Sequence, residues 1–155
     1  MLKTLPCLAL LLTLAAAPTQ GQDFFDDGVL RDVRLNFHDA NWWQQLKAGW
    51  PDGPNILADM TVDGVVYPGV GVRIKGNSSY FFLPPGSQKV SLNIEVDHTY
   101  SDLRLYGNKT LNLNNGMEDP TFCREATYQN IIHEYTPNGR GSHVKLWLND
   151  ESWGV

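Results

Sequence analysis

The residues best suited to chemistry lie in one run, Arg73-Ile74-Lys75-Gly76-Asn77-Ser78-Ser79. Two cations two positions apart share one face of an extended strand. The run then breaks at a glycine followed by three small polar residues. A turn of that composition can aim several backbone N–H groups and hydroxyls at an anion. Further along, Lys89 opens a second alternating run and Glu125 falls in a helical stretch. A polyanion such as a nucleotide needs these three parts: a polar turn with free N–H groups, a nearby ammonium, and an acid that holds the ammonium in place. Taken singly, each part has an ordinary reading. Gly-Asn-Ser-Ser is usually a turn, an outward strand lysine is usually solvated, and a helix glutamate usually sits at the surface.

Other constellations fail. The chain has no P-loop pattern and no Gly-x-Ser-x-Gly elbow, and His38, His98, His133 and His143 stand at no ligand spacing with a cysteine. No catalytic residue and no metal ligand can be named from spacing. The five tryptophans invite a sugar-stacking reading. Helical spacing explains Trp43 and Trp50 as core residues instead.

The elements that must position the charged residues follow from periodicity. Val33, Leu35 and Phe37 alternate as a half-buried strand. Asp39 can cap a helix over about Ala40–Ala48, whose stripe is Trp43, Leu46 and Trp50. Ile56–Val62 and Val65–Tyr67 flank Asp63-Gly64, the signature of a type I′ hairpin turn. Pro68-Gly69 reads as a bulge or edge feature, and Val70–Lys75 is the next strand. Asn77–Gln88 is a loop that displays Phe81-Phe82-Leu83 before Pro84-Pro85-Gly86. Lys89–Val96 alternates, with Val90, Leu92, Ile94 and Val96 inward and Lys89, Ser91, Asn93 and Glu95 on the other face. Thr110–Asn115 is a short strand with Asn112 and Asn114 on one face. Asp119-Pro120 starts a helix to about Tyr135, with Tyr128, Ile131, Ile132 and Tyr135 as its buried stripe and Arg124 and Glu125 at the edges. His143–Leu148 and Trp153–Val155 are the last strands, around a turn at Asn149-Asp150-Glu151. The expected fold class is α+β: a mainly antiparallel sheet with two helices.

The 155 residues suit one domain, and the 42% hydrophobic content is enough for a core. A formal net charge of −5 gives no field that would attract nucleic acid or an anionic membrane. Met1-Leu2-Lys3, the apolar run Leu8–Ala17 and the small residues near Ala17 and Gly21 have the form of a secretory signal peptide. Residues 1–22 are therefore set apart from a domain over 23–155, and the expected location is secreted or in the cell envelope. Membrane contact would come only through an uncleaved leader. Cys123 is then the one remaining cysteine, and a small core residue is its expected role. Asn77-Ser78-Ser79 and Asn108-Lys109-Thr110 fit the N-glycosylation pattern, which matters only in a eukaryotic secretory route.

The succession of motifs is more specific than any one of them. Val70-Gly71-Val72-Arg73-Ile74-Lys75-Gly76-Asn77-Ser78-Ser79 is followed by Lys89-Val90-Ser91 and by Leu105–Asn115. Asp119, Arg124-Glu125 and the ending Leu146–Val155 come next. This order, from about Val29 to the end, resembles the CotH (spore-coat protein H) family of atypical, secreted, kinase-like proteins. The resemblance implies the N-terminal lobe of a kinase-like fold. It implies ATP with Mg as the cofactor of a full-length parent, and an exported or spore-coat protein as the acceptor of phosphate on Ser or Thr. It also implies that Arg73, Gly76, Ser78 and Ser79 form the loop over the phosphates. Lys89 is then the nucleotide lysine, with Lys75 the runner-up, and Glu125 is its helix partner. The family's second lobe supplies the acids for metal binding and phosphoryl transfer. The chain resembles only the nucleotide-holding half, and that half alone is expected to be inactive. The competing reading is a non-catalytic coat or adhesin module that uses Phe81-Phe82-Leu83 and the tryptophans. A carbohydrate-binding β-sandwich is a third, and it calls for fewer helices.

Overall fold

A computed structural model describes residues 23–155. The leader expected over residues 1–22 lies outside the described residues. In chain order the elements are β1 (Arg31–Phe37), α1 (Trp42–Gly49), β2 (Ile56–Val62), β3 (Val65–Ile74), α2 (Ser78–Phe81), β4 (Leu92–Glu95), β5 (Thr110–Leu113), α3 (Arg124–His133), β6 (Val144–Leu148) and β7 (Glu151–Gly154). The strands form one seven-stranded sheet in the order β5-β4-β3-β2-β1-β6-β7.

Alternation in sequence becomes two chemically distinct sheet faces. Leu35 lies opposite Met60, and Ala58 opposite Val70. Val72 lies opposite Ile94, and Ile94 opposite Leu111. These residues are all buried and form one continuous apolar face, joined by Leu46 from α1 and by Phe24 and Leu105. Burying a side chain of this size contributes about 1.5–3 kcal/mol each before the entropy of ordering is subtracted. The other face is polar. Arg73 pairs in register with Asn93, and Asn93 with Asn112.

Local turn chemistry behaves as the sequence indicates. Asp63 and Gly64 both have positive φ, 51° and 78°, as a type I′ turn requires. The ladder between β2 and β3 slips between Ala58 and Met60, which places Asp59 opposite Pro68-Gly69. The Asp59 carboxylate accepts the Gly69 N–H at 2.9 Å. The bulge thus falls where proline cannot donate to the ladder.

The structure corrects several expectations. The sheet is mixed, because β1 runs antiparallel to β2 and parallel to β6, with Arg31 opposite Val144 and Leu35 opposite Leu148. Parallel neighbours need a long crossover, and most of the chain lies between these two strands. Among the described residues there are three helices rather than the expected two, since Ser78–Phe81 forms a short turn of helix inside the expected loop. Regular pairing over Lys89–Val96 is confined to Leu92–Glu95. Ser91 is buried rather than outward, and its hydroxyl accepts the Asn115 N–H at 3.1 Å. Trp43 and Trp50 are half-buried against the core, whereas Leu46 is fully buried. Cys123 is exposed.

The largest correction concerns α3. It starts at Arg124, and it buries no residue. Tyr128, Ile131 and Tyr135, expected inside, are 64%, 59% and 78% exposed. Asp119 still organises the start of this segment. Its carboxylate accepts the Thr121 N–H at 3.0 Å and the Arg124 N–H at 2.8 Å. These bonds shape an irregular turn ahead of the helix, so the first regular turn is delayed. The apolar stripe is present, but polar side chains at the helix edges hold it to the rest of the molecule.

One buried cation ties the start of the described chain to the sheet. Arg31 is 3% exposed, and its guanidinium meets the Asp63 carboxylate at 2.5 Å. Tyr106 donates its hydroxyl proton to the same carboxylate at 2.6 Å. The Arg31 guanidinium also donates to the carbonyls of Asp23 and Phe24.

Candidate functional site

β3 delivers the candidate site. Its polar face carries Arg73 and Lys75, and the chain leaves the strand at Gly76. Gly76 has φ +82°, and a Cβ there would collide with the Ser79 hydroxyl oxygen. Glycine is therefore required to turn from β3 into α2. The N–H groups of Gly76, Asn77, Ser78 and Ser79 meet no acceptor among the described residues. The strand thus breaks into a polar turn at the position that composition indicates. Arg73 and Ser78 are exposed, and Ser79 and Lys75 are half-buried.

Two side chains that pattern reasoning passed over fix this turn. Trp50 Nε1 donates to the Gly76 carbonyl at 2.8 Å. Asn115 is 8% exposed, and its amide donates to the carbonyls of Ser79, at 3.1 Å, and Lys89, at 3.0 Å. A single buried amide thus sets the spacing between the polar turn and Lys89. The Asn112-Leu113-Asn114-Asn115 run is visible in the sequence, but an asparagine announces no role until its partners are known.

The lysines have different surroundings. Lys75 Nζ donates to Asn114 Oδ1 at 3.0 Å, and Asn114 Nδ2 donates to Glu125 Oε1 at 2.5 Å. Gln129, one turn along α3, donates to the same Glu125 oxygen at 3.1 Å. Burial holds the Lys75 pKa below the usual lysine value. The Glu125 carboxylate works in the opposite direction, and the Arg73 guanidinium adds to the depression. Lys89 Nζ lies 4.2 Å from the centre of the Phe122 ring and donates to the Val155 main-chain oxygen at 2.8 Å. Among the described residues neither lysine forms a direct ion pair with Glu125. The expected Lys89–Glu125 pairing is absent from this arrangement, and Glu125 is linked to Lys75 through Asn114.

These groups line a cleft of about 1180 Å³ that Lys75, Ser79, Lys89, Asn114, Phe122 and Glu125 share. Arg73 and Gly76 stand at β3 and its exit, outside the lining. The cleft therefore offers two ammonium groups, one just past β3 and one just before β4, with hydroxyl and amide donors, the Phe122 ring and the Glu125 carboxylate. That set suits an anion with several phosphates better than a neutral ligand. The described residues contain no group of three His, Cys, Asp or Glu side chains able to hold a metal ion.

The family model described as CotH kinase protein matches residues 72–155, which begin inside β3 and run through both lysines, α3 and β7. No curated protein matches the chain.

Proposed function

The chain belongs to the CotH kinase protein family, and on that premise we propose that it holds the phosphates of ATP in the cleft between Lys75, Lys89 and α3. The reading extends to a secreted kinase-like protein that transfers phosphate from ATP to Ser or Thr of an exported protein. The sheet with its docked helix then corresponds to the nucleotide-holding lobe of a kinase-like fold.

One observation carries this reading. Lys75, Ser79, Lys89 and Glu125 line one cleft, although the sequence separates them widely, and Ser79 brings the end of the turn that starts at Gly76 to its wall. Lys89 is the better candidate for direct phosphate contact. Its ammonium lies over the Phe122 ring at the cleft, and among the described residues no side-chain carboxylate pairs with it. Lys75 already faces an amide that is joined to a carboxylate. Arg73 and the turn would add charge and N–H donors along the phosphate chain. In the transfer, the acceptor hydroxyl oxygen bonds to the terminal phosphorus and gives its proton to water, the bond from that phosphorus to the bridging oxygen breaks, and ADP leaves. Cations and N–H groups stabilise charge on the phosphoryl oxygens as it redistributes. The described residues do not fit a resident metal site, so Mg enters this reading as the counter-ion of ATP, and no step is assigned to it.

Titration with Mg-ATP tests the reading. Saturable binding is expected, and Lys89→Ala should weaken it more than Lys75→Ala. Binding that ignores both changes would mean that the site lies elsewhere.

A second reading has its own observation. Phe81 and Phe82 are 74% and 66% exposed at the tip of the segment that begins at Gly76. Such a pair favours a coat or adhesin module that binds through an apolar contact. If Phe81→Ser/Phe82→Ser abolishes surface attachment of a chain that never binds nucleotide, this second reading stands and the first falls.

A further inference from the structure

The helix that carries Glu125 is not held in place by packing. α3 buries no residue, and Tyr128 and Ile131 are exposed. Its position depends on polar tethers. Asn130 donates to Asp27 at 2.7 Å, which links the helix to the lead-in ahead of β1. Asp119 accepts the Arg124 N–H, which links it to its own preceding turn. Among the described residues, the hydrogen bond from Asn114 to Glu125 is the one that joins α3 to the β3–β5 part of the sheet. The same amide accepts from Lys75.

We propose that Asn114 is a positioning residue of the nucleotide site: its amide, bridging Lys75 to Glu125, docks α3 against the strands and sets the shape of the cleft. This inference rests on the nucleotide reading above. The chemistry suits the task. An amide presents an acceptor to the ammonium and a donor to the carboxylate at once, so both charged groups are satisfied without direct contact. The two charges stay partly apart, and the cleft between the strands and the helix stays open. A carboxylate at 114 would satisfy Lys75 and repel Glu125. An alanine would satisfy neither. Arg73, the other charged group that acts on Lys75, lies on β3 and gives α3 no tether.

The test uses the whole chain, Mg-ATP as the probe, and an exchange of the two groups. Hydrogen bonds to charged groups are worth about 1.5–3 kcal/mol, so Asn114→Ala and Asn114→Asp should each weaken Mg-ATP binding about tenfold or more. The double variant Asn114→Asp/Glu125→Gln conserves charge and rebuilds the bridge with donor and acceptor swapped. It should return affinity to within about threefold of the natural chain, since one bridging bond of this kind is again in place. A double variant no better than the weaker single variant overturns the proposal, because a general structural defect would not be rescued. Lys75 side-chain titration, followed by NMR without nucleotide, reads the bridge directly. Asn114→Ala should move it to lower pH, and an unmoved titration overturns the bridge while leaving the nucleotide reading intact. A natural chain that ignores Mg-ATP overturns that reading, and the role assigned to Asn114 with it.

Discussion

Trp50 and Gly76 are joined by a single 2.8 Å hydrogen bond from the indole Nε1 to the main-chain oxygen, while the indole ring lies 4.5 Å from that of Tyr80. The end of α1 therefore controls where the polar turn begins. Trp50→Phe keeps most of the ring contact and removes the donor. The expected cost is about 1 kcal/mol of stability, the net worth of an ordinary hydrogen bond. Urea unfolding should show it, and faster amide exchange should be confined to residues near 76–81.

Gly76→Ala tests the turn itself. At φ +82° an added Cβ is strained and meets Ser79. A cost of about 1–2 kcal/mol is expected from the backbone alone. If phosphate binding depends on this turn, Mg-ATP affinity falls further than the loss of stability explains. Calorimetric titration beside a thermal melt separates the two effects.

Asn115→Ala leaves the Ser79 and Lys89 carbonyls without their shared donor in a largely buried place. Unsatisfied buried groups cost about 1–3 kcal/mol each. The expected outcome is a clear drop in the urea midpoint together with weaker nucleotide binding, because the turn and Lys89 lose their fixed spacing. Unchanged nucleotide affinity in a destabilised variant would show that the spacing does not matter to the ligand.

Lys75→Met should raise the melting temperature at neutral pH while weakening nucleotide binding. Burial depresses the Lys75 pKa, so the folded chain holds that proton less tightly than the unfolded chain. The cost is fully present below the depressed value and disappears as pH rises towards the ordinary lysine range. A melting temperature that falls at pH 7 would contradict this account.

The Arg31–Asp63–Tyr106 cluster gives an alkaline signature. The hydrogen bond to Asp63 raises the Tyr106 pKa, with burial adding to it. Burial also raises Tyr67. The folded state therefore holds these protons more tightly than the unfolded state. Their contribution is complete below about pH 10 and is lost as pH rises through the folded values. Tyr106→Phe should flatten the alkaline end of the stability profile, with Tyr67 leaving a residual slope. Asp63→Asn, which leaves Arg31 buried without its counter-charge, should cost about 3–5 kcal/mol.

What the sequence made legible was local. Asp63-Gly64 and Pro68-Gly69 dictate their own backbone, and both features stand where composition places them. Val33, Leu35 and Phe37 alternate because one face is covered, and their burial follows. The stripe of α3 was legible as a stripe, but periodicity identifies an apolar face without saying what lies over it. The parallel pairing of β1 with β6 could not be read, since no local signal links residues so far apart. At the candidate site, Arg73, Lys75, Gly76, Ser78 and Ser79 are adjacent in sequence and could be grouped on sight. The amides of Asn114 and Asn115 and the indole of Trp50 act through partners that lie far along the chain. Their residue types carry no charge to flag them.

The pairing of β1 with β6 also sets a timetable. The ribosome finishes β1 early, but the strand that covers one of its edges follows only when residues near Val144 emerge. At about 5–20 residues per second, that is a wait on the order of 5–20 s. During it β1 can pair with β2 alone, and its other edge is open to any extended segment nearby. Whatever shields that edge during synthesis governs the yield of soluble protein, independently of how stable the finished sheet is.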